Sequence, residues 1–141
     1  RSHMPKSLSY LGARAAEPGF FTGNMISTCV DDDRAAAAAV MRKTLLGYVM
    51  LPNYQNYWIE AGYADEMQAI RAALAAGERE RIPALMSDAW LADCTLFGSA
   101  AEVRAGLEAW YATGIGTPIL VPSSTRGGQL EAVREVMALF D

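Results

Sequence analysis

Two short apolar runs, "MISTCV" at 25–30 and "TPILVP" at 117–122, stand in a chain that otherwise reads as helix. Each is too short for a helix, is bounded by stop signals, and is apolar on both alternating positions, as a strand buried on both faces is. Such strands separated by helical sequence belong to parallel β/α layers. The expected fold is therefore α/β and helix-rich, with about two parallel strands. Two strands under this many helices leave edges unpaired, so part of the sheet is expected to lie outside this chain.

The helical sequence divides at identifiable residues. A short helix is expected over 7–16, broken by Pro18, Gly19 and Gly23. Asp31, Asp32 and Asp33 follow the first strand, where one can cap a helix and the others favour its positive end. The alternative, a metal site, needs three adjacent carboxylates to converge on one ion. The helix is predicted to reach residue 50, with Val40, Met41, Thr44, Leu45 and Tyr48 on one face.

Pro52 suits the first turn of a second helix ending at Gly62, where Tyr54, Tyr57 and Trp58 form an aromatic wall. Further on, Asp65 is the expected cap and Gly77 the stop of a helix with Met67, Ile70 and Leu74 inward. "GERERI" reads as a solvated charge run. Pro83, Ser87 and Asp88 then cut the sequence through "LADCTLF" into short helical turns. Ser99 and Glu102 have capping-box spacing, ahead of a face of Val103, Leu107, Trp110 and Tyr111 that stops at Gly114. The last helix is predicted to turn Leu130, Val133, Met137 and Phe140 inward.

The 141 residues fit one domain. "RSHM" reads as the remnant of an expression tag over residues 1–4, leaving 5–141 as a single domain and removing His3, the only histidine. Without an imidazole, Ser-His and Cys-His catalysis and histidine-based zinc sites are excluded. Any chemistry falls to carboxylates, tyrosines or a cofactor, and no metal is expected. The net charge of −4, or −5 once Arg1 is subtracted, argues against nucleic acid as partner. Cys29 and Cys94 form no CxxC pair and read as buried free thiols, with a disulfide as the alternative. No run approaches the roughly 18 apolar residues of a membrane helix and no signal peptide is visible, so a cytoplasmic protein is expected.

The order "VDDDRAAAA", "YVMLPNY", "FGSAAEVRAGLEAWYATGI" and "PILVP" resembles the C-terminal part of the bacterial luciferase-like monooxygenases, over about residues 25–140. The most specific piece is "GSAAEVRAGL". That superfamily contains FMN-dependent monooxygenases and oxidoreductases using the deazaflavin coenzyme F-420. The resemblance implies a truncated portion of a TIM (βα)8 barrel, holding about its last two strands with their helices and the insertion between them, since such barrels need roughly 250 residues.

It further implies a parent oxidoreductase that binds FMN or coenzyme F-420 and a small-molecule substrate. The chain alone is expected to bind no cofactor and to have no turnover, and no catalytic residue is assigned. Asn53, Tyr54 and Tyr57 would line a substrate pocket, the alternative for the two tyrosines being helix-on-helix packing. Ser123 and Ser124 follow the final strand, and Arg126 with Gly127 and Gly128 suits an anion, a plain helix start being the alternative. Exposed strand edges or aromatic helices would make a homodimer. The rival reading is a non-catalytic α/β module whose aromatic face binds a partner.

Overall fold

The computed structural model describes residues 1–141 and holds eight α-helices and one open sheet of three parallel strands, a helix-rich α/β fold. The strands β1 (Gly23–Val30), β2 (Leu96–Gly98) and β3 (Thr117–Ser123) lie in the order β2-β1-β3. The two expected strands are β1 and β3. They pair directly, from Gly23 opposite Thr117 to Cys29 opposite Ser123. The strand β2 is a correction to the sequence reading. The helix within "LADCTLF" stops at Cys94, and Leu96, Phe97 and Gly98 pair with Thr28, Cys29 and Val30.

From β1 the chain crosses to β2 on one side, then returns past β1 to β3 on the other. Parallel crossovers are right-handed, so the two connections lie on opposite faces of the sheet. The first carries α2 (Arg34–Leu45), α3 (Pro52–Glu60), α4 (Ala64–Ala75), α5 (Ile82–Leu85) and α6 (Asp88–Cys94), after α1 (Met4–Ser9) has opened the chain. The second is α7 (Ala100–Tyr111), which α8 (Gln129–Met137) joins on the same face. Successive strand residues consequently feed two cores. Cys29 and Phe97 pack with Met41, Trp58, Met67, Ile70 and Trp90. Ile26 and Leu96 pack with Val103, Leu107, Trp110, Val136 and Leu139.

Local chemistry explains the helix ends. The Asp33 carboxylate caps α2 by accepting from the Ala36 amide at 3.0 Å. That helix stops at Leu45 rather than residue 50, because the chain turns there and the Tyr48 amide bonds the Leu45 carbonyl. The N-cap of α4 is Tyr63, not Asp65, which lies in the first turn. In place of one helix over 7–16 the chain forms α1 and a 3-10 turn, Gly12–Ala16. Both bonds of the Ser99–Glu102 capping box are present. Gly98, just before it, has φ of +119°, a region that favours glycine.

The outer helix α8 reverses the expected orientation. Ala132, Glu135 and Val136 turn inward, while Leu130, Val133 and Met137, with Phe140 beyond the helix end, are exposed. Tyr111 is exposed too, whereas Val103, Leu107 and Trp110 are buried as expected. No helix is long and apolar enough to cross a membrane.

Both sheet edges are blunted. The Thr117 amide bonds the Thr22 carbonyl, so odd residues of β3 address β1 and even ones face outward. Pro118 and Pro122 stand at outward positions, leaving Leu120 the sole outward N–H of the strand. At the other edge the Arg34 guanidinium donates to the Phe97 carbonyl at 3.1 Å and lies 4.3 Å from the Phe97 ring centre.

Candidate functional site at the carboxyl ends of the strands

In a parallel sheet ordered 2-1-3 the crevice outside the carboxyl ends of β1 and β3 is where strand order reverses, and ligands of such sheets bind there. Here β1 delivers Asp31, and β3 delivers Ser123, Ser124, Thr125 and Arg126. The Asp31 amide donates to the Gly98 carbonyl at 2.8 Å, fixing the turn. Its carboxylate accepts from the Thr125 hydroxyl and from the Asp33 amide, which together hold it below the usual carboxylate range.

The loop after β3 closes on one residue of α8. The Ser124 hydroxyl accepts from the amides of Arg126 and Gly127, at 3.0 and 3.2 Å, and donates to Glu135 Oε1 at 3.0 Å. Arg126 donates to that same oxygen through Nε and Nη2, and this bonding raises its guanidinium pKa. Glu135 Oε2 is buried without a partner. Below the loop, burial, with Glu135 and Asp31 nearby, pushes the Cys29 thiol up to about 11. Both cysteines are free thiols.

A second polar group sits on the β2 side, where Arg34 and Glu102 form a 3.0 Å ion pair. The bonds from Ser99, then Arg34, hold the Glu102 carboxyl below its ordinary range. Next to it is a hollow of about 310 Å³ lined by residues that include Arg34, Phe97, Glu102 and Gly106.

Of the residues singled out from sequence, the structure brings Ser123, Ser124 and Arg126 together and keeps Asn53, Tyr54 and Tyr57 apart from them on α3. Asn53 is exposed on the first turn of that helix. Tyr54 packs against Tyr48 at 5.1 Å and Trp58 at 5.7 Å, and Trp58 meets Trp90 edge-on at 4.9 Å. Half-buried Tyr57 meets the ring of His3 at 5.0 Å. Sequence reasoning missed Thr125 and Glu135 and took Asp31 only as part of a capping cluster. Its place directly after a buried strand was the available signal for Asp31. A glutamate inside an amphipathic helix gives no such signal.

These features define a helix-rich α/β protein with hydroxyls, carboxylates and a guanidinium gathered at the ends of parallel strands. The family model of luciferase-like monooxygenases matches residues 10–117, and the chain belongs to that family. The matched span holds Asp31, Arg34, Ser99 and Glu102 and ends at the first residue of β3. No curated protein and no solved structure matched.

Proposed function

We propose that this chain is the C-terminal part of a flavin-dependent or deazaflavin-dependent oxidoreductase acting on a small molecule, with FMN or coenzyme F-420 as cofactor. The observation that carries the reading is the gathering of polar side chains at the carboxyl ends of β1 and β3 in a chain of the luciferase-like family.

The residues present fit the phosphate end of such a cofactor. The helix α8 starts at Gly128 with no side-chain cap, so its first N–H groups are open to an anion. A Cβ at Gly128 would meet nothing within 4 Å, and Arg126 stands two residues away with its Nη1 unbonded. The slot for the ring system is not one of the hollows beside β2 and against α4, whose linings do not include this loop. Its walls belong to the rest of the parent protein, and the chain alone has no turnover.

When bound, the cofactor supplies the redox chemistry. The protein's own part is positional. Arg126 and the first turn of α8 hold the anionic end, Ser123 orients the adjoining polar atoms, Ser124 shapes the loop through its bonds with Arg126, Gly127 and Glu135, and Asp31 fixes the loop through Thr125. Asn53, Tyr54 and Tyr57 belong to the substrate side of the parent, a reading supported by the exposure of Asn53 and Tyr54.

The test is to read the coding frame upstream of Pro5, express the extended protein, and titrate it with FMN and F-420 by fluorescence. Binding by the extended protein, weakened by Arg126→Ala, supports the reading. An extended protein that binds neither cofactor sinks it.

A further inference from the structure

The order β2-β1-β3 is not that of a closed barrel, in which parallel strands follow one another around the axis and every helix lies outside. Here β3 stands beside β1, in the place a barrel gives to the strand that precedes β1. The helices are divided as well. Cys29 and Phe97 face the layer from α2 to α6, whereas Ile26 and Leu96, on the other face of the sheet, are covered by α7 and α8. In a barrel that second face meets side chains from the other strands. Val103, Leu107, Trp110, Val136 and Leu139 fill the space instead, because an apolar sheet face without those strands is buried by the apolar helix face that can reach it.

The parts between the two arrangements are hinged or lightly held. Gly98 before α7 and Gly114 after it have φ of +119° and +91°, and glycine moves between backbone regions closed to other residues. The free edge of β2 is covered by the Arg34 bond to the Phe97 carbonyl, and Arg34 and its partner Glu102 are each about half exposed, so that bond is released at little cost. The strand β3 completes a ladder on one side only. Thr117, Ile119, Val121 and Ser123 address β1, and Pro118 and Pro122 leave Leu120 as the sole N–H on the other edge. It therefore keeps one full partner at a time, and a strand arriving from upstream competes with it for the same edge of β1.

We infer that β3 has two places: beside β1 in this chain, and beside β2, with α7 and α8 on the face of α2 to α6, once the parent's preceding strand takes the free edge of β1. The inference rests on the reading of the chain as part of a larger barrel protein.

The experiment is a cross-link between the two strands. Met25 and Ile119 stand opposite each other in the ladder and are 69% and 39% exposed, so both can be replaced without disturbing a core. Neighbouring strands lie about 4.8 Å apart and strands two places apart about 10 Å. A disulfide needs its Cα atoms within about 7 Å. Met25→Cys/Ile119→Cys is refolded in a glutathione redox buffer, both in this chain and in the protein extended through the upstream coding frame, and peptide mapping separates the new disulfide from the free Cys29 and Cys94. The cross-link is expected in this chain and lost in the extended protein. Its absence from this chain overturns the inference, and so does its presence in both. Should circular dichroism show that the variant does not fold, Ser27→Cys/Val121→Cys, opposite each other in the same ladder, gives the same reading. Titrating the extended variant with FMN and F-420 scores the functional reading separately: binding with the cross-link retained overturns the inference alone, and a lost cross-link without binding overturns the functional reading alone.

Discussion

Arg126 closes on a single oxygen of Glu135, with Nε at 3.0 Å and Nη2 at 2.8 Å, while the second oxygen of that buried carboxylate has no partner. The loop after β3 is therefore shaped by a residue nine positions further on, through a bond that also takes up part of the guanidinium. Glu135→Ala removes the acceptor for Ser124 and Arg126 together. The expected loss is about 1–2 kcal/mol, small for a charged acceptor because Arg126 is largely exposed. Urea unfolding checks it as a lower midpoint with an unchanged slope.

The family's most specific box begins at Gly98, whose φ is +119°. An alanine there is strained by the backbone, and its Cβ lands on the Glu102 carboxylate that closes the capping box. Gly98→Ala should cost about 1–3 kcal/mol. Thermal unfolding measures it, and a melting temperature equal to wild type would mean that the turn between β2 and α7 is not shaped this way.

Edge protection is open to a direct trial. Pro118→Val/Pro122→Val restores two outward N–H groups on an edge strand that is half-buried apart from Thr117 and Ile119. Faster aggregation and greater thioflavin-T binding than wild type are expected under the same conditions.

Stability toward acid should depend on Asp93. Burial alone would raise this carboxyl, but the Ser2 hydroxyl and amide and the Arg1 ammonium, all within the stretch read as an expression tag, outweigh it and hold it below the usual range. The ammonium itself is pushed down, because its burial outweighs the same pairing. For a carboxyl depressed by folding, the stabilisation is complete above the unfolded value of about 4 and is lost as pH falls through the folded one. Asp93→Asn should therefore flatten melting temperature against pH below about 4 while lowering it near neutrality. Equal acid slopes in the two proteins would contradict this.

Both cysteines should be inert in the folded chain. Burial pushes Cys29 up to about 11 and Cys94 up to about 12, so neither is a thiolate at pH 8. A chromogenic disulfide reagent should titrate no thiol natively and two in denaturant.

Much of the fold was legible because its signals are local. The two longer strands, the Ser99–Glu102 box, Pro52 at a helix start and the Ser87 cap each depend on residues within a few positions of one another. The strand β2 was hidden because three residues are too few to show a period. The orientation of α8 was hidden for another reason: periodicity shows which side of a helix is apolar, not whether anything covers it. The site behaved likewise, with Ser123, Ser124 and Arg126 readable beside their strand. Asp31 and Thr125 met only through pairing between distant segments.

The pairing of β1 with β3 also sets the order in which the molecule can form. The Gly116 amide bonds the Thr22 hydroxyl across 94 residues, and the whole β1–β3 ladder has similar separation. At roughly 5–20 residues per second on the ribosome, several seconds pass between the making of β1 and the making of its neighbour. The layer from α2 to α6 can compact meanwhile, but β1 waits with that side unpaired. Chaperone dependence during synthesis should accordingly track the time taken to translate that interval, and synonymous codons that slow it should lower the yield of folded protein.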